Sequence, residues 1–121
     1  MKFKESKSIY LQIADRICDE ILQGQYKEEE RIPSVREYAA TVEVNANTVV
    51  RSFDYLQGQD IIYNKRGLGY FVALEGRERI LELRKEVFLR DELPEFFRQL
   101  KTLDIPIKDV EKMYNEYLKE D

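Results

Sequence analysis

Lys65 and Arg66 stand just ahead of Gly67 and Gly69, between the β-prone runs Ile61-Ile62-Tyr63 and Tyr70-Phe71-Val72. This pattern predicts a hairpin with a cationic, glycine-bearing tip. The two cations can reach a phosphate backbone or a minor groove, and the glycines let the main chain turn and approach closely. Groups for bond-making chemistry are scarce. The chain has no histidine, the commonest general base, and a single cysteine, Cys18, which beside Ile17 on an apolar helix face reads as a small buried hydrophobe. The acidic run Glu28-Glu29-Glu30 lacks partners at metal-ligand spacing and reads as a solvated loop. No catalytic residue, metal site or cofactor is therefore expected, and a carboxylate-based hydrolase would need two facing acids that the sequence does not supply.

The elements that must hold that tip can be read along the chain. Tyr10, Ile13, Ile17 and Ile21 recur at helical spacing, and Gly24 ends the segment. A polar connection closes at Pro33. A second helix then opens with a capping box, Ser34 and Glu37, and buries Val35, Tyr38, Ala39 and Val42. After Glu43 and Val44, Asn45 caps a third helix with Val49, Phe53 and Leu56 on one face and Gly58 near its end. Two short helices joined by a tight turn have the form of a helix-turn-helix, and the hairpin that follows turns it into a winged helix.

Composition sets the limits. A chain of 121 residues holds one compact domain, or a small domain with a helical appendage. With 43% apolar and 36% charged residues it is globular in character. The net charge is −4, and residues 1–73 hold 10 Lys and Arg against 11 Asp and Glu, so nucleic-acid binding must rest on where the cations are placed. The first residues, MKFKESKS, lack the apolar stretch of a leader, and no run reaches the length of a membrane span. A cytoplasmic protein without membrane association is expected.

Several separated motifs, in order, carry a resemblance. Tyr10 and Gln12-Ile13, Gly24, the run Ile32-Pro33-Ser34-Val35-Arg36, the run Val44-Asn45-Ala46-Asn47-Thr48-Val49, Arg51, and the run from Arg66 to Val72 resemble the GntR family of bacterial regulators. The absence of a large effector domain makes the YtrA-like branch the nearest match. The resemblance implies a DNA-binding transcription regulator; it would act by operator occlusion or by recruitment, with repression the favoured expectation, and no catalysis is expected. The positions matching family DNA contacts are Ser34 and Arg36, then Asn47, Thr48 and Arg51, then Arg66, Gly67 and Gly69 with Lys65 beside them.

The physical character of those residues agrees. Ser34 and Thr48 fall in first helical turns, where free N–H groups and a hydroxyl hold a phosphate oxygen. Arg36 and Arg51 suit phosphate or, bidentately, guanine, and Asn47 suits adenine. Ala46 and Ser52 depart from the branch's usual proline and alanine, which points to altered helix entry and packing and leaves the donors in place. Asp54, one turn beyond Asn47 and Arg51, repels phosphate unless Arg51 pairs with it at i,i+3.

The rest of the chain is helical. Ile80, Leu83 and Val87 continue into Leu93, Phe96, Phe97, Leu100 and Leu103, with Pro94 starting a new turn or bending the helix. Pro106 opens a last helix whose Val110, Met113, Tyr114, Tyr117 and Leu118 can fold back. Such helices bury little alone, so pairing with a second subunit is the economical explanation, and an intramolecular brace on the winged helix is the alternative. The expected fold is therefore mainly α with a small β-hairpin: a winged helix-turn-helix over residues 1–73 and a helical dimerisation region over 74–121, with Ile80, Leu83, Val87, Phe96, Phe97 and Leu100 at the dimer interface. The expected partners are double-stranded operator DNA, as an inverted repeat, and a second copy of the chain; no residue pattern assigns a small-molecule effector. The alternative is a winged helix serving as a protein-interaction module, which salt-sensitive duplex binding would exclude.

Overall fold

The computed structural model describes residues 7–120; the stretch 1–6, on which the expected lack of a leader rests, lies outside them. The chain forms two compact units, one ending at Glu82 and the other beginning at Leu83. The first holds helices α1 (Ile9–Leu22), α2 (Val35–Val42) and α3 (Ala46–Gly58), then strands β1 (Ile62–Lys65) and β2 (Gly69–Val72), then the start of α4 (Gly76–Val87). Among the described residues no helix is long and apolar enough to cross a membrane.

Local chemistry sets each boundary. α1 ends where Gly24 takes a φ of +84°, so that Gly24 N–H reaches the Ile21 carbonyl and Gln25 N–H the Glu20 carbonyl, the paired bonds of a Schellman motif. α2 starts in a complete capping box and stops at Glu43, which adopts the left-handed region at φ 57°. Asn45 then caps α3 by accepting the Asn47 N–H at 2.7 Å. These two caps produce the tight turn of the helix-turn-helix.

The core joins one face of each helix to the base of the hairpin. Ile13, Ile17, Ile21, Tyr38, Val42, Val49, Phe53, Leu56, Ile61, Ile62 and Val72 are buried in it. Phe53 is fully enclosed, with the Tyr70 ring edge-on at 4.9 Å. Tyr10, expected on the buried face of α1, is half-buried instead.

Strands β1 and β2 pair antiparallel in the register Ile62 to Val72, Tyr63 to Phe71, Asn64 to Tyr70 and Lys65 to Gly69. The acidic run is not simply a solvated loop. Glu29 N–H bonds the Val72 carbonyl, Val72 N–H the Glu30 carbonyl and Ile32 N–H the Tyr70 carbonyl, so this segment occupies the outer edge of β2. The Glu29 carboxylate also accepts the Tyr63 hydroxyl at 2.6 Å. The edge strand is thus covered and its backbone groups are satisfied.

The first unit continues past the boundary expected after Ala73. At Gly76 a Cβ would lie 2.7 Å from the Ile61 carbonyl oxygen, so the start of α4 approaches closely enough to require glycine. Ile80, expected at a dimer interface, is 1% exposed and belongs to this unit's core. Arg79 ties the same helix down by donating to the Gln59 carbonyl at 3.2 Å.

In the second unit, a π-helical segment (Phe88–Glu92) leads into α5 (Leu93–Thr102), and α6 (Ile107–Lys119) follows a short turn. Pro94 lies in the first turn of α5 and cannot donate to the preceding turn. The helix absorbs this by widening: Leu93 N–H bonds the Phe88 carbonyl five residues back. None of the described residues from 83 onward is buried. Of the apolar residues of α6 expected to fold back, Val110 is half-buried, while Met113, Tyr114, Tyr117 and Leu118 stay open to solvent, Met113 at 66% and Tyr117 at 63%.

Candidate nucleic-acid interface

Three groups of side chains in the first unit match the expected contacts. At the start of α2, the Ser34 hydroxyl accepts the Glu37 N–H at 3.2 Å, and Glu37 returns a bond to the Ser34 N–H at 3.0 Å. The first-turn N–H groups of Val35 and Arg36 have no intrahelical carbonyl to bond and are oriented for an anion. Arg36 is exposed beside them. The Ser34 backbone and hydroxyl hold the Glu37 carboxyl below its ordinary range, so it stays ionised next to this turn.

On α3, Asn47 and Arg51 lie one turn apart on the exposed side, and Thr48 is half-buried. Arg51 does not pair with Asp54, the condition that would have relieved its repulsion of phosphate; the Arg51 guanidinium lies 4.2 Å from the centre of the Tyr10 ring. Tyr10, Arg51, Asp54 and Tyr55 together line a shallow surface cleft. Ser52, the departure from alanine, is fully buried and donates to the Tyr10 carbonyl at 2.6 Å, with the Thr48 carbonyl 3.2 Å away as the alternative acceptor. Ser52 thereby makes a specific link between α1 and α3.

At the hairpin tip, Leu68 N–H bonds the Lys65 carbonyl at 2.8 Å and closes a turn whose third residue, Gly67, has φ +81°. That position of a type II turn calls for glycine. Gly69, at φ +110°, is constrained on two counts, because an added Cβ would also stand 3.0 Å from the Arg31 Nε. Lys65 lies over the Phe71 ring at 4.7 Å, and Arg66 is exposed. The wing therefore carries Lys65 on a stacked aromatic base, Tyr63 against Phe71.

The structure adds residues that the sequence reading missed. Arg31 crosses Gly69 and reaches within 3.8 Å of Glu37, so it joins the wing to the α2 entry. In sequence it follows the acidic run Glu28-Glu29-Glu30, with no motif that marks it. Val50 and Tyr55 are 39% and 38% exposed on α3, off its buried face, where apolar atoms can meet a thymine methyl. Helical periodicity from Val49 and Phe53 was the available signal for both.

Comparison with known proteins identifies the family and the fold. Residues 9–72 match the family described as bacterial regulatory proteins, gntR family. The chain is 38% identical over 104 residues to the HTH-type transcriptional regulator YhcF of Bacillus subtilis, covering 86% of this chain and 84% of the relative. It is 32% identical over 79 residues to the HTH-type transcriptional repressor YtrA of the same organism, covering 65% and 61%. A crystal structure of a GntR-family regulator from Bacteroides thetaiotaomicron superposes with a TM-score of 0.83 at 63% identity, over 93% of this chain and 98% of that one.

Proposed function

The chain belongs to the GntR family and is a DNA-binding transcription regulator, and from that premise we propose that it is a cytoplasmic repressor that binds an inverted-repeat operator as a homodimer. Its resemblance to YtrA, itself named a repressor, supports repression and the YtrA-like branch. Repression requires only that the bound dimer occlude a promoter. In this reading α3 enters the major groove, Asn47 and Arg51 face base edges, and Thr48 meets a phosphate at the helix entry. Ser34 and Arg36 fix the docking against the backbone, and Lys65, Arg66, Gly67 and Gly69 bring the wing to it.

The single observation that carries the dimer is the exposure of the second unit. Phe88, Leu89, Phe96, Phe97, Leu103, Ile107, Met113, Tyr114, Tyr117 and Leu118 are all open to solvent, and Leu83, Leu93 and Leu100 are only half-buried. An apolar surface of this extent on a short helical segment calls for a cover. A second copy meets that need with two-fold symmetry, and the same symmetry passes to the operator as an inverted repeat. Dimerisation thus falls to Leu83, Val87, Phe96, Phe97 and Leu100, joined by the exposed face of α6.

Arg36→Ala and Arg66→Ala test the docking. Each weakens operator binding while leaving thermal stability unchanged, and each lowers the slope of log affinity against log salt by about one unit. Unchanged affinity in both variants overturns this arrangement.

A further inference from the structure

We infer that Tyr10, a residue of the first helix, is a positioning residue that commits Arg51 to reading a guanine edge. The inference rests on the DNA-binding reading above and deepens it. Three observations carry it. A guanidinium held over an aromatic ring can lay its face on it and keep its in-plane N–H donors free to point outward, and the Arg51 guanidinium carbon lies over the Tyr10 ring, 4.2 Å from its centre. The outward fork matches the paired acceptors O6 and N7 of guanine.

The platform is tied to the helix it serves. Ser52, next to Arg51 in sequence and fully buried, donates to the Tyr10 carbonyl at 2.6 Å. Ring and recognition helix are therefore joined at the residue where the stack forms. The exposed cation also escapes neutralisation, since it makes no ion pair with Asp54 among the described residues. Asp54 lines the same cleft, and its carboxylate repels a phosphate there, leaving a base edge as the ligand for Arg51.

The test measures binding of the full chain to a selected operator duplex, and to versions substituted at each base pair, over a range of salt. Tyr10→Leu lowers operator affinity by about two- to fivefold, the range for an exposed cation–π contact, and flattens the preference at one G·C pair with the salt slope unchanged. Tyr10→Phe retains the ring and behaves as the wild type. In an Arg51→Ala background, Tyr10→Leu causes no further loss. Independent losses that multiply, or a Tyr10→Leu effect that is the same on every duplex, overturn the inference. A second readout does not depend on the variants: the Arg51 side-chain protons of the free wild type show upfield ring-current shifts in NMR spectra, and unshifted resonances overturn the stack. If the wild type shows no salt-sensitive duplex binding, the DNA reading itself falls, and this inference with it.

Discussion

The two units use their apolar residues in opposite ways. The first encloses Ile13, Ile17, Phe53, Leu56, Ile62 and Ile80 almost completely, whereas the second leaves Phe97, Met113 and Tyr117 in solvent. The first unit's stability is therefore its own, drawn from contacts within one chain. Stability of the second depends on what covers it, and so on concentration if the cover is another copy. Under the proposed function a division of labour follows from this contrast: the self-sufficient unit presents α3 and the wing, while the open unit would set how many such units arrive together and at what spacing.

Breaking the enclosed core gives the largest expected effect. Phe53→Ala removes a fully buried ring packed against Tyr70, and it should destabilise the first unit by about 3–5 kcal/mol in urea unfolding. That loss should be the same at low and high protein concentration. A strong concentration dependence would show that the first unit also relies on a partner.

Charging the open unit comes next. Phe97→Asp should leave the urea midpoint of the winged-helix unit unchanged and convert the protein to a monomer in sedimentation. Affinity for a full inverted repeat then falls on the order of a hundredfold, because the linked second site is lost, while an isolated half-site binds as before. A dimer that survives Phe97→Asp would move the interface away from α5.

The smallest effect sharpens the turn between α2 and α3. Glu43 sits at φ 57°, a region that favours glycine, so Glu43→Gly should stabilise the first unit by about 0.5–1 kcal/mol. Differential scanning calorimetry reads this as a raised melting temperature. A lowered one would mean that the Glu43 side chain contributes more than its backbone costs.

Much of the first unit was legible because its boundaries are written in local chemistry. Ser34 with Glu37, Asn45, and Gly67 with Gly69 each announce a cap or a turn, and each forms as read. What the sequence hid are pairings between distant segments. Glu29 to Ile32 takes a sheet edge through backbone bonds that acidic side chains do not advertise. Tyr10 looked like a core residue by its helical period, yet it lies half-buried under a cation 41 positions away in the chain, because the shared core and the Ser52 hydrogen bond hold α1 against α3. Ile80 shares its period with Leu83 and Val87, and periodicity alone could not tell a residue packed in its own unit from one left open for a partner.

Selecting bound duplexes from a random pool with the full-length protein tests the central claim most directly, since motif and symmetry emerge from one measurement. The account predicts enrichment of an inverted repeat whose half-sites present major grooves about one helical turn, or a multiple of it, apart. Enrichment of an asymmetric motif, or of none, would contradict it.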